Sequence, residues 1–150
     1  MNIKLGTVAA AVVAVSLTLP AVAALANPDV IKLRDGLMRQ NGTAMVIVGK
    51  MAQGATDFDP VVAKAALASV RDTAREYPAL FPVGSETGDT IAAPAIWEDM
   101  EGFTAASHKL ADDLDAAIAA VDADGLDGLR ANLQTVGGNC QSCHQQYRTR

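Results

Sequence analysis

The sequence predicts an all-α protein, an antiparallel up-down-up-down four-helix bundle. Three observations lead there. No window alternates apolar and polar residues at period two, whereas apolar residues recur at threes and fours along most of the chain. Proline and glycine divide those periodic stretches into four. Most of the joins are short, which makes consecutive helices antiparallel neighbours.

The first 26 residues stand apart from that pattern. Lys4 precedes a run of mostly Ala, Val and Leu from Leu5 to Leu19, Pro20 ends it, and Ala24-Leu25-Ala26 supplies a small-x-small site. A charge, an apolar run and small residues, in that order, make a secretory signal peptide. The run is shorter than the ~20 apolar residues a membrane span requires, so an uncleaved anchor is the lesser reading. Cleavage after Ala26, with Ala23 as the neighbouring alternative, leaves residues 27–150, 150 − 26 = 124 in all. That is one domain with one core, residues 27–150, following a signal peptide, residues 1–26. Loss of Lys4 takes the formal charge from −5 to −6. An acidic surface excludes nucleic acid and anionic membranes as partners and suits proteins with basic docking surfaces.

The first helix is expected from Pro28 to about Gly54, capped by Asn27, with Asp29 complementing the dipole. Its apolar stripe is Val30, Leu33, Leu37, Ala44, Val48 and Met51, interrupted at Gln40 or Asn41. The second runs from Pro60, capped by Asp59, to about Tyr77. "YPALFPVGSETGDTIAAP" is a long crossover. The third helix is expected from Ala95 to about Val121 on the stripe Ile96, Met100, Phe103, Leu110, Leu114, Ala117 and Val121, and "DADGLDG" is a turn. The fourth, from about Leu126 to Tyr147, has Leu126, Leu129, Leu133, Val136, Cys140, Cys143 and Tyr147 at alternating spacings of three and four.

Both cysteines lie on that seam, within Cys140-Gln141-Ser142-Cys143-His144. C-x-x-C-H is the attachment signature of a c-type haem. On a helix the two thiols sit one turn apart on one face, where each can reach one vinyl group of a porphyrin. His144 follows directly, with a ring nitrogen free for the iron. Gly137 and Gly138 offer no side chains to obstruct a haem edge. A disulfide across two residues would close almost no loop and stabilise little. A thioredoxin-type C-x-x-C calls for a βαβ setting that the chain lacks. A zinc site calls for three or four ligands, and His108 is the only other histidine.

Haem iron takes a proximal histidine and, in some proteins, a methionine opposite. With the first and fourth helices antiparallel, His144 stands ~9 Å from the chain end and Met38 ~15 Å into the first helix. Met45 is ~10 Å and Met51 ~20 Å further on. Met38 is therefore the candidate distal ligand, with core packing its bland alternative. Arg34, one turn before Met38, is a candidate contact for a haem propionate, as is Arg148. His108 falls off its helix's apolar stripe and reads as surface; Trp97 reads as core or as a cover over the haem.

The chain resembles the class II c-type cytochromes, the cytochrome c′ family, over nearly its whole mature length. The resemblance rests on "LRDGLMRQNG", "YPALFPVGSETGDT", "PAIWEDMEGF" and, most specifically, "VGGNCQSCHQQYR". It implies one haem c held covalently by Cys140 and Cys143, His144 as an axial iron ligand, Met38 in the distal pocket, and homodimers through the first two helices. One branch of the family has an open sixth position that binds NO or CO; in the other a methionine ligates the iron. The "GLMRQNGTAMVIVGKMAQG" run looks more like the second. Gln141 stands where the family often has a basic residue, which alters the charge at the haem edge.

The expected function is that of an exported, periplasmic electron carrier with His144 and Met38 on the iron, not an enzyme, since no second set of acid, base or nucleophile gathers near the motif. The alternatives are a five-coordinate protein that binds NO or CO, and a non-haem helical thiol-disulfide protein.

Overall fold

A computed structural model describes residues 27–149; the expected signal peptide and Arg150 lie outside the described residues. Its helices are α1 (Asn27–Ala52), α2 (Pro60–Glu76), the single turn α3 (Ala95–Glu98) and α4 (Met100–Tyr147). A 3-10 turn, Tyr77–Leu80, prolongs α2 into the crossover. No strand occurs among the described residues.

Local chemistry fixes the ends of these helices. Gly54, at φ 73°, ends α1: its N–H donates to Met51 O and that of Ala55 to Lys50 O, both spare carbonyls of the last turn. Asp59 begins α2, its Oδ1 accepting from the N–H of Val61 at 2.8 Å and of Val62 at 3.1 Å. The third helix departs from expectation. It stops after one turn at Asp99 (φ −135°, ψ 62°), whose Oδ1 accepts from Gly102 N at 2.9 Å and starts α4 afresh. A side chain that can cap competes locally with helix continuation.

The second departure is the turn expected over residues 122–128. Helix runs through all of it except Gly125, at φ 58° and ψ −126°, where α4 folds back on itself. Only glycine adopts such angles without strain. The arms 100–124 and 126–147 are antiparallel neighbours: Asn139 Nδ2 donates to Asp113 Oδ2 at 2.6 Å. Gly128 lets them meet, because a Cβ there would lie 2.0 Å from the Ala120 carbonyl oxygen. With α1 and α2, the two arms complete the four rods of the bundle.

Its core is divided. A lower cluster gathers Val48, Leu67, Val70, Leu114, Leu129 and Val136. An upper one, at the motif end, is aromatic: Phe81, Phe103 and Tyr147, with Tyr77 and Trp97 against them. Five of the chain's six aromatic residues meet there, edge to face, with Phe81–Phe103 centroids 4.9 Å and Phe103–Tyr147 centroids 5.1 Å apart.

Two glycine substitutions should act in opposite directions in urea unfolding. Gly128→Ala is expected to lower stability by roughly 1–3 kcal/mol through overpacking of the arms. Gly49→Ala, on α1 with nothing within 4 Å of the new methyl, is expected to raise it by about 0.4–1 kcal/mol.

Candidate functional site

The C-terminal arm presents Cys140 and Cys143 as free thiols, both half-buried, with His144 exposed beside them. Burial pushes both thiols above their ordinary pKa. They are poor thiolates, unlike the cysteines of disulfide oxidoreductases. Partial cover of its ring, and then Arg148, hold His144 below the usual histidine value. Both effects favour the neutral imidazole, the form that keeps a lone pair for a metal. Gly137 and Gly138 have open space where a side chain would be.

Arg130 sets the arm's register against α1. Its Nε donates to Ala52 O at 2.8 Å, where α1 ends. Met38 is fourteen positions before Ala52, and His144 fourteen positions after Arg130. At 1.5 Å per residue both are ~21 Å from that bond, so Met38 and His144 stand on one level to within about a turn. Met45 falls level with Gly137 and packs on the lower core; Met51 is itself buried in that core. Met38 and Cys140 are half-buried yet belong to neither cluster, whereas Cys143 packs on the aromatic one.

Arg34 is placed differently from what its sequence neighbours suggest. Leu33, on the expected stripe, is 42% exposed, while Arg34 is 4% exposed. Its Nε donates to Leu80 O at 2.8 Å and its Nη1 to Ser85 O at 3.1 Å, with a further bond to Ser85 Oγ. The guanidinium carbon lies 4.0 Å from the Phe81 ring centroid. Burial lowers its pKa, with Tyr77 and Glu86 opposing. Burial likewise drives the Tyr77 hydroxyl up to about 12, and that hydroxyl donates to Arg34 O at 3.4 Å. Trp97 Nε1 donates to Pro82 O at 3.2 Å and its ring meets Phe81 edge-on. His108 is exposed. Arg148 pairs with Ala92 in a short antiparallel bridge. Ala93 N donates to Tyr147 O and Thr149 N to Ile91 O, so the crossover clasps the chain just beyond the motif.

Asn41, which the sequence shows only as an interruption of a stripe, is buried, and its Oδ1 has no hydrogen-bonding partner within the protein. Such an atom costs roughly 1–3 kcal/mol unless something else meets it. A buried polar atom without a partner, two free thiols and a histidine that burial keeps from charging all fit a covalently held haem between α1 and the C-terminal arm.

A helical bundle with this site is a c-type cytochrome of the class II kind. The family model described as Cytochrome C' matches residues 29–148. Cytochrome c-556 of Agrobacterium fabrum is 38% identical over 148 residues, spanning 99% of this chain and 98% of that one. The solved cytochrome c′ of Rhodopseudomonas palustris is 39% identical with a TM-score of 0.76, covering 81% of this chain and 97% of its own. A variant of cytochrome c prime from Alcaligenes xylosoxidans, solved as a nitric oxide complex, is 28% identical with a TM-score of 0.75, covering 84% and 98%. The chain belongs to the cytochrome c′ family. It is a haem c electron-carrying protein, and its cofactor is covalently attached haem c.

Arg34→Met should cost about 2 kcal/mol, because it strips the buried Ser85 carbonyl and the partly buried Leu80 carbonyl of a charged donor. Amide hydrogen exchange should quicken over residues 81–93 while that of α2 is unchanged.

Proposed function

We propose that the protein carries single electrons in the bacterial periplasm, released there as residues 27–150 by removal of a signal peptide. Among the described residues no helix is long and apolar enough to cross a membrane. Haem c, when bound, supplies an iron that alternates between the ferrous and ferric states. Cys140 and Cys143 hold it by thioether bonds and His144 ligates one face. Met38 ligates the other; the observation behind this assignment is the shared level of Met38 and His144, set by Arg130 and Ala52. A thioether opposite an imidazole favours the ferrous state and raises the potential. With both axial positions supplied by side chains, little rearranges on electron transfer and diatomic gases are shut out. Arg34 brings its charge to the same end, and we assign it a propionate through the N–H groups that the crossover leaves over.

The second reading is an open sixth position that binds NO or CO. The nitric oxide complex of the Alcaligenes relative favours it. The thiol-disulfide reading loses support from the raised pKa of both cysteines.

Absorption spectra of the exported holoprotein separate these readings. The expected ferric and ferrous spectra are low-spin and indifferent to CO, and Met38→Ala converts them to high-spin spectra that shift with CO. A wild-type spectrum already high-spin and CO-sensitive removes Met38 from the ligands. Cys140→Ala and Cys143→Ala should each lose one thioether, and a wild-type protein with no haem band would return the thiol reading.

Two partner surfaces follow. Asp89, Glu98 and Glu101 are exposed near the motif end, which suits a redox partner with a basic docking surface. A second copy of the chain is assigned to the groove between α1 and α2, where Thr43, Ile47, Val62 and Ala66 line an apolar strip and Val46 is 57% exposed. Ile47→Glu should turn a dimer into a monomer in sedimentation; a wild type that sediments as a monomer at 100-fold dilution and at full concentration alike rejects the dimer.

A further inference from the structure

The stretch between the two core clusters contains a buried polar side chain with no bonding role inside the protein. Asn41 is 8% exposed and its Oδ1 lacks a partner. Three other buried polar groups near this end are engaged: Arg34 with Leu80 and Ser85, Ser107 Oγ with Ala74 O at 2.7 Å, Ser85 Oγ with Pro82 O at 2.7 Å. The lower core reaches Ala44 on α1 and Val136 on α4 and goes no further. One turn beyond each stand Asn41 and Cys140. The register set by Arg130 puts Asn41 level with residue 141, and Asn41 is three residues from Met38, on the same face of α1. An apolar side chain would close this seam better. An amide here is explained by something in the seam to which it bonds.

We propose that Asn41 is a positioning residue of the pocket on Met38's side of the haem, its amide N–H donating to whatever occupies the sixth iron position. The two ends of an amide exchange by a half-turn, so the buried end can present either oxygen or N–H. In the resting protein the acceptor is the Met38 sulfur; when Met38 is absent it is a bound diatomic ligand. The proposal rests on the reading of Met38 as the distal residue.

The test uses holoprotein in the ferrous state with CO as the probe, comparing Met38→Ala with Met38→Ala/Asn41→Leu. The C–O stretch reports a hydrogen bond to the ligand directly, which a merely structural residue would not move. Loss of the amide should raise that stretch and speed CO release about tenfold, which is ~1.4 kcal/mol, the size of one neutral hydrogen bond. Asn41→Gln in the same background should restore both in part. Asn41→Ala gives the same comparison where the leucine variant fails to load haem. An unchanged stretch and release rate overturn the proposal, and so does a Met38→Ala protein that takes up no CO. Should wild type itself bind CO, methionine ligation has failed on its own account. Asn41→Leu against wild type then decides the role of Asn41 by the same two readouts.

Discussion

A guanidinium buried among aromatic rings is the interaction on which the motif end depends. Arg34 cannot shed its charge, so its burial is tolerable only with acceptors around it. The crossover provides them as the Leu80 and Ser85 carbonyls, and Phe81 provides a ring face. That anchorage passes on. Phe81 leans on Phe103 and Trp97, Phe103 on Tyr147, and the end of the crossover bonds the backbone at Tyr147 and Thr149. The turn that carries Cys140, Cys143 and His144 is thereby tied to α1 through the crossover. The rods on either side of the motif are thus fixed by contacts above it, in the aromatic cluster, and below it, in the aliphatic one.

The divided core follows from the same arrangement. Below, aliphatic residues from all four rods interlock, and Gly128 brings the arms of α4 close. Above, the aromatic cluster seals the end. Between them α1 offers Met38 and Asn41 and the C-terminal arm offers Cys140, none of which belongs to either cluster. A protein that had to be stable without a ligand would have closed this stretch with leucine and valine, as it does at Leu129 and Val136.

Much of this was legible in the sequence, and its failures are instructive. The alternating three-and-four spacing from Leu126 to Tyr147 became a helix with Leu129, Val136 and Tyr147 buried. The C-x-x-C-H spacing carried its own chemistry, since three side chains on one turn need nothing else to be recognised. Hydrophobicity misled at Leu33 and Arg34. The two differ by 100° around α1, and apolar identity favours the first; yet the acceptors that make Arg34 buriable lie 46 and 51 residues away. A helix's own residues do not record them. Asn41 failed for a related reason: a polar residue within a stripe reads as a break until its burial is seen. The break at Asp99 and the one-residue turn at Gly125 both depend on backbone angles that composition signals only loosely, as cap and glycine.

The clasp between the crossover and the last residues also orders events in time. The α4 hairpin closes over a few residues, with Ala120 meeting Gly128, whereas Ala92 must find Arg148 across more than fifty. Loop-closure entropy rises with that separation, and contacts distant along the chain form late. The arms of α4 therefore pair before the clasp closes, while the contacts of α1 with the C-terminal arm, such as Arg130 with Ala52, span more of the chain still. Cys140 and Cys143 lie between the two, on the arm that pairs early and just ahead of the clasp that closes late.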